Sequence, residues 1–204
     1  MATTAKLWSR LSAAQAKKTT PRVVNSSQGA RLTIGGKDYL NFCSSHYLGF
    51  AEEPRLKQAA QKAIEVHGLG TGYRTLSGTH QLHVDLEAAI AKFKGTEAAV
   101  CFTSAYAANA SAVQTLLGME DIVVSDQLNH ASIIDAVKVA GVQNKFRYDH
   151  SDMGDLEKQL KAANELQKTP KKNGEHPLIL VITDGVFSMD GDLAKLPKIV
   201  ELAK

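Results

Sequence analysis

Cysteine is scarce in this chain of 204 residues: only Cys43 and Cys101, with no CxxC pair and no histidine-rich company. That excludes a disulfide framework and gives no thiolate metal motif; two free, buried, reduced thiols are expected, which fits a cytoplasmic protein. Long apolar runs are absent as well. None approaches the roughly 18 residues of a membrane-spanning helix. Neither sign of charge dominates, with 24 basic and 21 acidic residues and a net charge of +3. A polyanion partner such as nucleic acid is therefore not indicated. The one basic concentration, Lys168–Lys172 beside Asn173-Gly174 and Pro177, reads as a solvated loop. Phosphate-loop spacing (GxxxxGKS or GxxxxGKT) and internal repeats are also missing.

The first 18 residues contain no acid and no long apolar core. A secretory signal is not expected; a short amphipathic helix is, with Leu7, Trp8, Leu11 and Ala14 on one face, and a transit peptide stays open. Residues 1–50 read as an N-terminal helix and hairpin segment, and 51–204 as a second region. With 44% hydrophobic residues, the length suits one ordinary domain or a large part of a bigger one.

What is present is a rhythm. Residues 21–27 look extended, and Arg31–Ile34 with Asp38–Phe42 flank Gly35-Gly36 as a β-hairpin. A helix starts at Pro54, with Leu56, Ala59, Ala60, Ala63, Ile64 and His67 at core spacing. Gly68–Gly78 reads as a glycine-rich loop. It superficially offers GxGxG, yet follows a helix where a dinucleotide fingerprint must follow a strand. The next helix places Leu82, Leu86, Ala89, Ile90 and Phe93 on one face. From there strand and helix alternate: strands at 98–102, 121–125, 145–148 and 178–183, helices near 106–117, 130–140, 152–163 and from Pro197. A polar insertion fills 164–177. This βαβα order predicts an α/β fold, a mostly parallel sheet flanked by helices.

Three of the strands end in polar, turn-forming clusters that reopen as helices or turns: Thr103-Ser104-Ala105-Tyr106, Asn129-His130-Ala131-Ser132, and Asp184-Gly185 through Asp190-Gly191. Open α/β sheets build ligand sites at such strand ends. Ser104 precedes a helix N-terminus, where unpaired N–H groups favour a phosphate, although Ser and Thr most often stand there as plain caps. His130 lies one strand over, with a flat ring able to stack on a planar ligand; a lone histidine is more often structural. Asp184, Ser188 and Asp190 follow the third strand, where two tight Asp-Gly turns are the simpler account. No metal-ligating cluster is indicated.

Five ordered blocks between Tyr39 and Lys204 carry a resemblance: YLNFCSSHYLGF, GTGYRTLSGTHQLHVDLE, FTSAYAAN, SDQLNHASIIDA and TDGVFSMDGD. Together they resemble the α-oxoamine synthases, pyridoxal-phosphate enzymes of the fold-type I aminotransferase class that join an amino acid to an acyl-CoA. The 8-amino-7-oxononanoate synthase and glycine C-acetyltransferase branches look closest. The resemblance implies that residues 51–204 are the first part of a pyridoxal-phosphate-binding large domain, the chain being the N-terminal half of such a protein. It implies pyridoxal 5′-phosphate as cofactor, with Ser104, Ala105 and Tyr106 at the phosphate, His130 stacked on the ring, Ser188 at the phenolic oxygen and Asp184 nearby. His130 would also touch the substrate, as would Arg22 and Ser45. The intact protein would be a homodimer with acyl-CoA and amino-acid substrates, the loop 70–78 approaching the neighbouring subunit's cofactor.

Two positions depart from the family pattern. Ser45 stands where Asn is usual and Ala105 where Gly is usual. The Asp that pairs with the pyridinium nitrogen and the Schiff-base lysine have no counterpart: no Val-Asp-Asp-Ala-His-Gly-like and no Thr-x-Gly-Lys-like segment occurs, and Lys195 and Lys204 stand in other contexts. The chain alone is therefore expected to be inactive, and poorly soluble because its parallel sheet lacks neighbours. Two other readings stay open: a non-catalytic partner subunit of a related synthase, and a phosphate-ligand-binding α/β module unrelated to pyridoxal.

Overall fold

The computed structural model describes residues 4–6, 8–10, 12, 21–70 and 72–204. Of the expected N-terminal apolar face, Leu7, Leu11 and Ala14 lie outside the described residues, while Trp8 is exposed. The chain forms two compact units, Met1–Gly78 and Thr79–Lys204.

In the first unit, β1 (Arg31–Ile34) and β2 (Lys37–Leu40) pair antiparallel, with Arg31 opposite Leu40 and Ile34 opposite Lys37. The two-residue connection places both Gly35 and Gly36 at positive φ (55° and 77°), the backbone a tight hairpin turn demands. Helix α1 (Pro54–His67) starts as expected. Proline occupies its first turn, where its missing N–H costs nothing, and the Glu53 carboxylate accepts from Arg55 N–H at 3.3 Å. Its expected core face is not covered: no residue of α1 is buried. The Gly68–Gly78 loop holds a short helix, α2 (Arg74–Ser77).

The second unit is built on a three-stranded parallel sheet in the order β4-β3-β5. The strands are β3 (Ile122–Asp126), β4 (Asn144–Tyr148) and β5 (Ile179–Ile182). Central β3 reads IVVSD, and its side chains alternate between two cores as a pleat requires. Ile122 and Val124 face Tyr148, Leu156, Leu160, Ala163 and Ile199. Val123 faces Val113, Leu117, Ala136, Val137 and Val142. Helices α6 (Met153–Gln167) and α7 (Leu196–Ala203) thus cover one face, α4 (Ala105–Leu116) and α5 (Ala131–Val139) the other. A continuous apolar run in β3 is what a strand buried on both faces needs.

Some expectations change. Residues 98–102 form no strand. A strand exists only as part of a ladder, and among the described residues none lies beside this segment; Cys101 N–H instead donates to Glu87 Oε1 at 2.8 Å. Helix α3 (Gln81–Lys94) buries only Ala91, while Phe93 is 84% exposed. Both cysteines are free, but Cys43 is exposed and Cys101 only half-buried, for the same want of covering neighbours. The 164–177 segment is helical to Gln167.

Lys171, expected in solvent, is mostly covered and reaches Asp121 at 3.2 Å. Asp121 also accepts from Gly118 N–H (2.7 Å) and Leu178 N–H (2.8 Å), tying the starts of β3 and β5 together. Burial pushes the Asp121 carboxyl up; these hydrogen bonds more than offset that and leave it below its ordinary range.

Candidate active site

Each side chain of the site owes its place to the end of a strand or the start of a helix. Ser104 caps α4, its hydroxyl accepting from Ala107 N–H at 3.1 Å. The cap leaves the first-turn N–H groups of Ala105 and Tyr106 without an intrahelical partner, the donors a helix start offers to an anion. The Tyr106 phenol donates to Asp135 Oδ2 of α5 at 3.1 Å, and that bond raises its pKa above the ordinary range.

At the end of β3 the chain turns through buried Asn129, whose amide joins two strand ends. Its Nδ2 donates to Ile182 C=O of β5 (2.8 Å) and to Ser125 Oγ (2.9 Å), and its Oδ1 accepts from Asp184 N–H (2.8 Å). Asp184 returns the contact, its Oδ2 accepting from His130 N–H at 2.7 Å. His130 caps α5, with its Nδ1 accepting from Ser132 N–H at 3.1 Å and lying 2.7 Å from Ser132 Oγ. Since Nδ1 accepts, the neutral ring carries its proton on Nε2. Asn109 of α4 completes the relay, donating to Ser132 Oγ at 2.8 Å.

His130, Asp184 and Ser188 line one open cavity of about 200 Å³ with Asn129, Phe187 and Asp190. Ser104, Ala105 and Tyr106 do not line it; they stand at the start of α4, joined to the His130 cap through Asn109–Ser132 and Tyr106–Asp135. Arg22 and Ser45 belong to the first unit. There Arg22 lines a separate depression of about 610 Å³ with Tyr39, Asn41 and Cys43, and Ser45 is exposed.

Sequence reasoning passed over a second cluster. His150, just beyond β4, places Nδ1 2.9 Å from Asp126 Oδ1 at the end of β3 and Nε2 2.8 Å from Asp192 Oδ2. Its ring meets Phe187 edge-on, with centroids 4.4 Å apart. The strand-end rule, applied to Asp149–Ser151 as it was to the three expected strand ends, points to this histidine. The hydrogen bond to Asp126, opposed by burial and aided by Asp192, raises its pKa above the ordinary imidazole value. A group whose folded pKa is raised contributes stability that is full below its unfolded pKa, about 6.5, and is lost as pH rises through the folded value. The difference in urea midpoint between wild type and His150→Gln is therefore expected to be largest near pH 6 and to shrink on the alkaline side. A constant difference across that range would show that the protonated ring is not what stabilises.

The aminotransferase class I and II family profile matches residues 37–204. The chain belongs to the aminotransferase class I and II family. The chain is 50% identical over 185 residues to the 8-amino-7-oxononanoate synthase of Fervidobacterium nodosum, covering 90% of this chain and 45% of that protein. For the 8-amino-7-oxononanoate synthase of Geobacter sulfurreducens the identity is 45%, over 90% of this chain and 44% of that one. A serine palmitoyltransferase structure from S. paucimobilis holding PLP joined to myriocin superposes with a TM-score of 0.77 at 32% identity, over 98% of this chain and 48% of that one. The chain thus spans under half the length of the relatives it matches, and its fold is that of the fold-type I transferases of the class I and II family. The likeness to 8-amino-7-oxononanoate synthase stands. Among the described residues, no helix is long and apolar enough to cross a membrane.

Proposed function

We propose that this chain supplies the phosphate- and ring-holding face of a pyridoxal-5′-phosphate-dependent acyltransferase, one that condenses alanine or glycine with an acyl-CoA. The observation that carries the reading is the meeting of His130, Asp184 and Ser188 on one cavity, beside the open helix start at Ala105–Tyr106. The donor set suits the cofactor. Two free N–H groups with the helix dipole behind them match a phosphate. The His130 ring, fixed at Nδ1, suits a planar heterocycle, and the Ser188 hydroxyl suits a phenolic oxygen. When bound, pyridoxal phosphate supplies an electron sink for charge developing at the amino acid's Cα. The chain's own part is to hold and orient: Asp184 fixes the His130 backbone, Asn129 fixes Asp184, and Arg22 and Ser45 are assigned to the amino-acid substrate. Two free thiols favour a reducing, cytoplasmic setting. The active assembly is a homodimer.

Among the described residues no lysine lines the cavity, and Lys195 is committed to the Ser151 carbonyl at 3.0 Å. That favours a second reading for the chain by itself, a non-catalytic partner subunit, which co-purification with a lysine-bearing homologue would support. Both readings share one test. Pyridoxamine 5′-phosphate, which does not react with surface lysines, is titrated into the chain by fluorescence. Saturable binding, competed by inorganic phosphate, is expected, and His130→Ala should weaken it roughly three- to tenfold through lost ring contact. With an acyl-CoA and alanine or glycine, no release of CoA is expected from the chain alone. Absence of binding at millimolar ligand would remove the cofactor reading.

A further inference from the structure

The loop after β5 is a tight double turn. Val186 bridges Leu193, Phe187 N–H donates to Asp192 C=O at 3.0 Å, and Gly191 N–H donates to Phe187 C=O at 2.7 Å. Gly191 sits at φ 80°, where a side chain would be strained. These bonds shape the loop but lie within it. The side chains of Ser188 and Asp190, at its tip, make no hydrogen bond among the described residues, so the base of the loop decides where Ser188 stands.

Asn129 and His130 tie Asp184 just ahead of the loop; beyond that point its base is held at the His150 ring. Phe187 is buried against the His150 ring, and Asp192 Oδ2 meets His150 Nε2. The other Asp192 oxygen, Oδ1, is buried without a hydrogen-bond partner, so His150 is the sole hydrogen-bond partner of the Asp192 side chain among the described residues. Across the ring, Asp126 Oδ1 accepts from Nδ1 while its carboxylate also takes the N–H groups of Leu128 (2.8 Å) and Ser151 (3.1 Å). Ser151 has a left-handed backbone, φ 54°, costly for a residue with a side chain and held here by the Asp126 carboxylate and by Lys195 on its carbonyl.

We propose that His150 is a positioning residue for the cofactor site: clamped between Asp126 and Asp192, it holds the 185–193 loop, and with it Ser188, at the cavity wall. This rests on the reading of that cavity as a pyridoxal-phosphate site. The chemistry of the clamp is that both carboxylates accept, so both ring nitrogens must donate and the ring is an imidazolium. The ionisable groups around it are Asp126 from β3, Asp192 from the loop, the Tyr148 phenol near Asp126, and Lys195 on the neighbouring carbonyl. Asp126 is buried with three donors, whereas the Asp192 side chain is 40% exposed. On deprotonation the remaining proton stays on Nδ1, and the contact that opens is the one to the loop.

The test compares the full wild-type chain with His150→Gln, Ser188→Ala and the double variant. Two quantities are read from about pH 5.5 to 8.5, where imidazole titrates: hydrogen exchange of the 186–192 amides, and affinity for pyridoxamine 5′-phosphate. His150→Gln should speed exchange in that segment and weaken the ligand about tenfold, the scale typical of partners that orient a contacting group. Its effect and that of Ser188→Ala should not multiply, and the wild type's advantage over His150→Gln should fade as pH rises. Wild-type exchange and wild-type affinity in His150→Gln would overturn the inference, as would fully multiplicative effects of the two substitutions. If His150→Gln does not fold, Asp192→Ala, which cuts only the loop side of the clamp, decides by the same readouts. Should the wild type bind no ligand, the cofactor reading fails, and exchange in 186–192 still reports separately whether His150 holds the loop.

Discussion

Asp126→Ala is expected to lower the unfolding free energy by about 3–5 kcal/mol, the scale for removing one partner of a buried charged contact. Asp126 is 4% exposed and sits where central β3 ends. It accepts from Leu128 N–H, from Ser151 N–H and from His150 Nδ1, contacts of 2.8, 3.1 and 2.9 Å. Alanine leaves all three donors without an acceptor, one of them on a charged ring, and removes what offsets the left-handed backbone of Ser151. Asp126→Asn should fall between, because one amide oxygen still accepts while its NH₂ faces a donor. Urea unfolding followed by far-ultraviolet circular dichroism measures the difference. A loss of less than about 1 kcal/mol, the net worth of an ordinary hydrogen bond, would mean that water replaces the carboxylate at little cost.

Asn129→Ala should cost about 2–3 kcal/mol, because it strands a part-buried carbonyl and a part-buried N–H together. The stranded groups are Ile182 C=O and Asp184 N–H, the two that stitch the end of β5 to the turn after β3. Asn129→Asp tests the geometry more finely. It keeps the acceptor for Asp184 N–H but turns an anion toward the Ile182 carbonyl, so it should be no milder than alanine. Both variants should also weaken pyridoxamine 5′-phosphate, since Asp184 Oδ2 holds the His130 backbone. A variant that loses stability yet binds normally would separate the stitch from the site.

The three sheet strands and the helices between them are legible in the sequence because their signals are local. DIVVSD and LILVIT are apolar runs bounded by turn formers, and the helices have caps at their starts: Ser104, His130 and Asp152 all accept first-turn N–H groups. Of the candidate site segments, Asn129–Ser132 and Asp184–Asp190 follow the ends of β3 and β5, whereas Thr103–Tyr106 follows 98–102, which forms no strand. What was not legible depends on neighbours distant in sequence. The segment 98–102 has strand composition and, among the described residues, no strand to pair with. Lys171 reads as solvated until Asp121, 50 positions away, is beside it. His150 looks like any loop histidine, because its two carboxylates lie 24 and 42 positions off. Burial failed in the same way: Leu82, Leu86 and Phe93 are spaced for a core, and among the described residues none of the three is buried.

The connectivity of the sheet also orders events in time. Ile122 pairs with Asn144 on one side and with Ile179 on the other, more than twice as far along the chain. Closing the longer loop costs more chain entropy and comes later in a search dominated by local encounters. β3 and β4 with α5 between them are therefore expected to assemble first, with β5 joining last. The bond from Asn129 to the Ile182 carbonyl and the Asp184 contact to His130 cannot exist before that docking. The cavity is a late product of folding and the first feature lost when β5 peels away, so amides of β5 should exchange with solvent through a partial opening that leaves β3 protected.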